Sequence, residues 1–473
     1  MIPALEKYIA RHLEPEGRAL EPPSMTFGHA IAIPAYDEGD GVLTTLRSIP
    51  PGPLGKVLSI LVVNAPADAP QSVHLRSEQL IGQLRREYAS EFVRRGPSHF
   101  HWFGHPKGAL LCVDRTGPRS LPKGQGVGLA RKIGCDIALQ LHARGKLTSS
   151  WIHTTDADVE LPSAYFERLP VALNADTPAA LLYPFWHRIE SPPELADAMH
   201  RYELFLRYYV LGLAYAGSPY AFHTLGSILA VHCLAYAKVR GFPRRDAGED
   251  FYLLNKLAKV GPILQLDGAP LMIRGRSSHR VPFGTGAALK RILAASAKGE
   301  PYRVYAPDVF LQLKMSLAAL ELFCADCGRE DAIGYLKAAG RMHGGLDAQQ
   351  LHSELVNLGY LSALRHAQRV SRDSATMLRH LHNWFDAFRT LKLIHQLTLT
   401  FPKVELLEAI RTATFVDNGS AQLEDLQQLR LALVDLERSR PAHVGAGSQC
   451  TSTSSVSRPP PTKMVPDVGV AST

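Results

Sequence analysis

Two carboxylates one residue apart, Asp156 and Asp158, close a short apolar and β-branched run in Trp151-Ile-His-Thr-Thr-Asp-Ala-Asp-Val-Glu-Leu-Pro162. Residues two apart on a strand point the same way, so both acids can reach one small target from a strand end. Paired hard oxygen ligands suit Mg²⁺ or Mn²⁺, an ion that usually also takes substrate phosphates. The same residues equally make a strand-to-helix turn with Asp158 as its cap. A second acidic pair, Glu249-Asp250, opens an amphipathic stretch ending at Gly261. There the acids can act as a base, or simply complement the helix dipole. Lys123 and Arg131 flank a glycine string, Gly124-Gln-Gly-Val-Gly128. Glycines permit close backbone approach, and the helix that follows offers its N-terminus to an anion. Tight helix packing explains the same glycines. Arg274 to Gly286 is a basic, glycine-bearing loop containing His279 and Arg280, suited to phosphate contacts or to a lid.

The elements that must position these residues alternate. His29 to Ala35 reads as an apolar strand ending at a loop with Tyr36, Asp37 and Glu38. Thr44 to Ile49 gives one helical face. Val57 to Val63 is a continuous apolar run, as in a parallel strand buried on both faces, and it ends in a turn from Asn64 to Asp68. Residues 73–95 show helical spacing, with Leu75, Leu80, Leu84, Tyr88 and Phe92 on the apolar positions, and Ala109 to Asp114 reads as a strand. After the Asp156–Asp158 strand the sequence predicts a helix near 163–172, a strand over 179–185 and a long helix over 193–216. A strand over 226–232, a helix over 234–240, the acidic helix from 248 and one or two strands over 264–273 follow. This rhythm predicts an α/β domain with a mainly parallel sheet flanked by helices, whose ligands sit beyond the carboxyl ends of the strands. From about 305 to 440 the periodicity is helical. From Pro441 the Gly, Ser, Thr and Pro composition predicts a disordered tail.

The bulk numbers bound the class. The chain has 473 residues, 46% hydrophobic and 20% charged, with a net charge of +8, which allows two or three soluble domains. No arginine- and aromatic-interleaved stretch reads as a nucleic-acid site; the mild basicity suits anionic ligands or peripheral contact with an acidic membrane surface. The cysteines, 6 in number, are scattered, which fits buried thiols in a reducing cytoplasm. Cys324 and Cys327 form a lone C-x-x-C read as core packing. Met1 to Lys7 lacks a secretion-signal core, and Tyr208 to Ala237, though free of Asp, Glu, Lys and Arg, is broken by Gly217-Ser-Pro-Tyr220, so the expectation is a cytoplasmic protein without a membrane span.

In order, these motifs resemble the family 2 glycosyltransferases of the GT-A fold over about residues 28–287. Ala32-Ile-Pro-Ala-Tyr-Asp-Glu38 is similar to that family's opening strand and nucleotide-binding loop, and Val62 to Asp68 to its second strand and turn. Gly128-Leu-Ala-Arg131 to Gly134 is similar to its Gly-x-x-x-Ala-Arg-Asn-x-Gly helix. Asp156-Ala-Asp158 matches its metal motif, Gly226 to Phe242 the strand, helix and turn before the acceptor site, and Glu249-Asp250 the motif that supplies the base. The sequence departs at Val63, where the family usually has an acid, at Lys132, often Asn, and at Arg240, usually Gly; it also lacks a Q-x-x-R-W motif and paired membrane spans. Ser278-His-Arg280 is similar to a loop of some retaining GT-A enzymes in which a histidine completes the metal site.

The resemblance implies metal-dependent transfer of a sugar from a nucleotide-diphospho-sugar donor to an acceptor hydroxyl. Asp250, with Glu249, would be catalytic, and the assignment of Asp250 as general base makes the reaction inverting. Pro34, Tyr36, Glu38, Asn64, Asp68, Arg131, Asp156 and Arg280 would bind the nucleotide sugar. Asp158, Asp156 and His279 would hold Mg²⁺ or Mn²⁺. The stretches Tyr183–Arg188 and Tyr220–Thr224 would shape acceptor choice. The expected organisation is a lead-in over 1–27, a GT-A domain over 28–300, a helical extension over 301–440 and a tail over 441–473. Two other readings stand beside it: a catalytically silent nucleotide-sugar-binding scaffold, and a nucleotidyltransferase.

Overall fold

The structure is a computed structural model that describes residues 3–39, 41–88, 99–169, 177–188, 192–275, 284–344 and 347–440. Helices α1 (Pro3–Arg11) and α2 (Pro15–Ala19) lead into β1 (His29–Ala35). Then come α3 (Gly41–Ser48), β2 (Val57–Asn64), α4 (Gln71–Glu87), β3 (Phe100–His105), β4 (Gly108–Arg115), α5 (Gly126–Ala143) and β5 (Trp151–Thr154). Every residue of β1 and β2 is buried, as expected for strands covered on both faces. Within α4, however, Leu75 is 50% exposed, so it does not belong to the apolar face. The strand β3 had no clear signal in the sequence; it pairs antiparallel with β4 at the sheet edge.

The second half contributes β6 (Val159–Glu160), β7 (Ala180–Leu182), β8 (Phe185–Arg188), α6 (Pro193–Tyr215), β9 (Leu229–His232), α7 (Cys233–Lys238), α8 (Glu249–Leu257), β10 (Ile263–Gln265), β11 (Leu271–Arg274) and α9 (Thr285–Ser296). The run read as one strand over 179–185 is two strands. Pro184 has no N–H to donate to the ladder, and the chain leaves the main sheet there to pair β8 with β11. The helix expected near 163–172 is, within the described residues, a short 3₁₀ turn at Tyr165–Arg168. Gly226–Ile228 is likewise a 3₁₀ turn ahead of β9 rather than part of it.

The main sheet has the order β10-β7-β9-β5-β1-β2-β4-β3, and a smaller sheet has the order β6-β11-β8. From β1 the chain builds outward through β2 and β4, all parallel, then returns across α5 to place β5 on the other side of β1, again parallel. The order of strands therefore reverses between β1 and β5. The loops leaving their carboxyl ends diverge and open a crevice, the place where open α/β sheets bind ligands. Helix α5 closes one face of this reversal. A Cβ on its Gly134 would lie 2.8 Å from the Ala32 Cβ on β1, so only glycine permits that approach.

Beyond α9 the chain is helical: β12 (Arg303–Val304), α10 (Pro307–Ala325), α11 (Ala332–His343), α12 (Ala348–Asn357), α13 (Tyr360–Val370), α14 (Ser374–Trp384), α15 (Ala387–Leu397), β13 (Val404–Glu405), α16 (Leu406–Thr412), α17 (Asn418–Ala421) and α18 (Leu426–Ser439). Aspartates 331, 347, 373, 386, 417 and 425 cap helix N-termini by accepting backbone N–H bonds. Cys324 is buried in α10, but Cys327 is exposed at φ 56°, so the C-x-x-C is only half core. Leu204, Tyr208 and Leu211 of α6 join Phe310, Leu313 and Leu393 in one hydrophobic cluster, which makes α6 common to the α/β unit and the helical extension. The charge-free stretch 208–237 runs from α6 through a loop and β9 into α7. Among the described residues no helix is long and apolar enough to cross a membrane.

Candidate functional site

A cavity of about 450 Å³ opens beyond the carboxyl ends of β1 and β5. That size suits a small-molecule ligand. Pro34, Tyr36 and Glu38 reach it from β1 and its loop, Asn64 from the end of β2, Asp156 and Asp158 from the loop after β5, and Glu249 and Asp250 from the first turn of α8. Asp68 does not line it; it is exposed beside Lys123, 3.0 Å away. His279 and Arg280 lie outside the described residues. The Asn64 side chain donates to the carbonyls of Ala35 (3.0 Å) and Val62 (3.2 Å), and so ties the ends of β1 and β2 together.

Arg131 organises the acids. Its side chain is 3% exposed. It donates to Asp156 (2.7 Å), Glu249 (3.1 Å), the Thr154 hydroxyl (2.8 Å) and the Gly226 carbonyl (3.2 Å). Burial alone would lower its pKa, but the charges of Asp156 and Glu249 raise it above the usual arginine range. Gly226 is required here, because a Cβ would stand 2.7 Å from the guanidinium. A phosphate meeting Arg131 would have to share it with these partners.

Asp250 sits beside this cluster. Its Oδ2 accepts from the Gly226 N–H (3.0 Å) and its Oδ1 from the Phe251 N–H (2.7 Å). Burial and then the neighbouring Glu249 charge raise its pKa to about 7, against the opposing pull of Arg131. A carboxylate poised near neutrality suits general-base work. Gly248 precedes α8 at φ 72°, a left-handed turn that aims the first helical turn, with its two acids, at the cavity.

The glycine string serves tight packing at Gly128. A Cβ on Gly128 would lie 2.4 Å from the Pro243 carbonyl, and the Gly128 N–H donates to Arg245 O at 2.8 Å. The start of α5 is therefore packed and hydrogen-bonded against the 243–246 loop. Lys132, where the resembled family often has Asn, is also buried in structure: it donates to Asp136 (2.7 Å), the Tyr8 hydroxyl (2.6 Å) and His12 O (2.9 Å), fastening α1 to α5.

Among the described residues, no group of three or more His, Cys, Asp or Glu side chains is placed to hold a metal ion. Asp156 and Asp158 do supply carboxylate oxygens at the cavity, a donor set that fits a hard divalent ion taking its other ligands from phosphates and water. Sequence reasoning did not single out His187 on β8, His223 in the loop before β9, Tyr202 on α6 or Thr285 on α9, all of which line the cavity. The two histidines fall within the stretches expected to shape acceptor choice, but a lone histidine carries no spacing signal.

A scan against models of protein families finds no match, and a search of curated proteins finds none either. Among solved structures, the chain is similar to the Staphylococcus aureus TarS 1-349 in complex with UDP-GlcNAc, with 9% identity, a TM-score of 0.33 and coverage of 88% of this chain and 93% of that one. It is also similar to the mannosyltransferase PcManGT from Pyrobaculum calidifontis in complex with GDP-Man and Mn²⁺, with 17% identity, a TM-score of 0.31 and coverage of 82% and 92%.

Proposed function

We propose that the protein is a glycosyltransferase that moves a sugar from a nucleotide-diphospho-sugar to an acceptor hydroxyl with inversion. The observation that carries this reading is the convergence of Asp156, Asp158, Glu249 and Asp250 on one cavity at the β1–β5 reversal. Tyr36, Glu38 and Asn64 offer a floor and polar edges for the nucleotide on the β1 and β2 side. Asp158, with Asp156 beside it, would hold Mg²⁺ or Mn²⁺, whose chemistry there is to neutralise charge on the departing diphosphate. Asp250 takes the proton of the acceptor hydroxyl as its oxygen attacks the anomeric carbon from the face opposite the diphosphate. The carbon–oxygen bond to the diphosphate breaks and the configuration inverts. Glu249 and Arg131 fix the field around Asp250 and hold its helix turn in place. In this reading the α/β unit over 28–300 carries the chemistry, residues 301–440 form an extension, and the free thiols of Cys112, Cys135, Cys233 and Cys324, all buried, suit the cytoplasm.

A second reading is a silent nucleotide-sugar-binding protein. It draws support from the Arg131–Asp156 pair, which occupies part of one expected metal ligand. Asp250→Asn separates the two. For an enzyme with this base, turnover falls about 10²–10⁴-fold while donor binding is kept. Wild-type turnover should rise as pH passes upward through about 7, the point at which Asp250 ionises. Transfer that persists in the variant contradicts the base assignment. Wild type that turns over no donor it binds favours the silent reading.

A further inference from the structure

Behind the cavity wall at His187 and His223, β8, α6, α18 and the loop before β9 meet in one buried charge network. Glu203 on α6 accepts from the His187 backbone N–H and faces its Nδ1, both at 3.0 Å. Arg207, one turn along α6, donates to Glu203 Oε1 (2.7 Å) and to Glu437 Oε2 (2.6 Å) on α18. The other Glu437 oxygen lies 2.8 Å from His223 Nε2. Phe185 stands edge-on to both imidazoles, with ring centroids 5.6 Å and 5.0 Å away. One arginine thus bridges two glutamates, and each glutamate anchors one histidine that lines the cavity.

This arrangement fixes what the histidines can offer. Burial would raise the pKa of Glu203 and of Glu437. Arg207 gives each glutamate a short charge-assisted hydrogen bond, 2.7 Å at Glu203 and 2.6 Å at Glu437, and so holds both ionised. An ionised carboxylate only accepts hydrogen bonds, so His187 Nδ1 and His223 Nε2 are the N–H nitrogens. In the neutral ring the opposite nitrogen is then a lone-pair acceptor. His187 is 3% exposed and, among the described residues, its Nε2 has no hydrogen-bond partner, a cost that a hydroxyl donor would remove. A fully ionised phosphate or carboxylate has no proton to give to that nitrogen.

We propose that His187 and His223 form the subsite for acceptor hydroxyls, that the acceptor is an uncharged polyhydroxy compound, and that α18 completes the subsite through Glu437. This rests on the transferase reading above. It makes the helical extension part of the acceptor site.

The test uses the full chain and a donor that stabilises it, and follows nucleoside diphosphate release with paired probes: glycerol against glycerol 3-phosphate, and glucose against glucose 6-phosphate. The expected result is faster release with at least one neutral probe and none with its phosphorylated partner. Glu437→Gln should raise the half-saturating concentration of that probe about tenfold or more and leave donor half-saturation within about twofold. His223→Gln, which keeps a hydrogen-bonding side chain, should give the smaller effect, and serves as the second variant if Glu437→Gln melts out. Stimulation only by phosphorylated probes, or by none, overturns the acceptor class. Equal loss for donor and probe in the variants, or no loss, overturns the role of the network. Failure of every nucleotide sugar to bind sinks the transferase reading itself, and the subsite with it.

Discussion

Arg131 is a single buried cation among Asp156, Glu249 and Asp250, and their mutual repulsion is held in check by its charge. Removing one partner of a buried ion pair leaves the others uncompensated, which costs about 3–5 kcal/mol. Arg131→Ala should therefore lower stability by that order in urea unfolding at pH 7.5. The loss should shrink at pH 5, where more of the freed carboxylates are protonated; a loss equal at both pH values would contradict the electrostatic account. The acids at this site were legible because Asp156 and Asp158 end a strand run and Glu249-Asp250 open a helix. The role of Arg131 was not, since its partners lie 25 and 118 residues away and no local pattern records such a pairing. For the same reason Asp68, placed in a turn like the others, gave no sign that it would face solvent and Lys123 instead of the cavity.

The strands show where periodicity reads well and where it fails. Continuous apolar runs identified β1, β2, β4 and β5, and the two-sided burial of β1 and β2 follows from helices on both faces. The run over 179–185 is apolar on both sides of Pro184, yet that proline divides it between two sheets, and β3 carries histidines that mask its alternation. Two fully buried histidines sit on adjacent central strands. His29 on β1 stacks on Phe166 with centroids 4.6 Å apart, and His153 on β5 packs edge-on against the same ring at 4.9 Å. Burial lowers the pKa of His29 to about 4 and holds that of His153 well below the usual histidine range. Both are therefore neutral when folded and protonate more readily when unfolded. Their contribution to stability is complete above about pH 6.5 and is lost as pH falls from there through 4. Chemical denaturation at pH 7.5, 6 and 5 should show a falling midpoint, and His153→Gln should flatten the slope. An unchanged slope in that variant would remove His153 from the account.

At the scale of the molecule, the helical extension is joined to the α/β unit at the elements that wall the cavity. Asp386, which caps α15, pairs with Lys259 and accepts from Asn255 at 3.1 Å, and so grips α8, the helix that begins with Glu249 and Asp250. The Tyr220 hydroxyl donates to His382 O at 3.1 Å and anchors the loop that carries His223. Helical periodicity announced the extension, but not that α6 would serve both parts, because an amphipathic pattern does not name its partner. The account's central claim is that the cavity at the β1–β5 reversal binds a nucleotide-diphospho-sugar through its acidic edge. The most direct measurement is thermal stabilisation by UDP, GDP, dTDP and CMP sugars, with and without Mn²⁺, on wild type and on Asp158→Ala. The account predicts stabilisation by one nucleotide-diphosphate class, strengthened by Mn²⁺ and lost in Asp158→Ala. Stabilisation that Asp158→Ala leaves intact, or no stabilisation by any of these sugars at millimolar concentration, would contradict it.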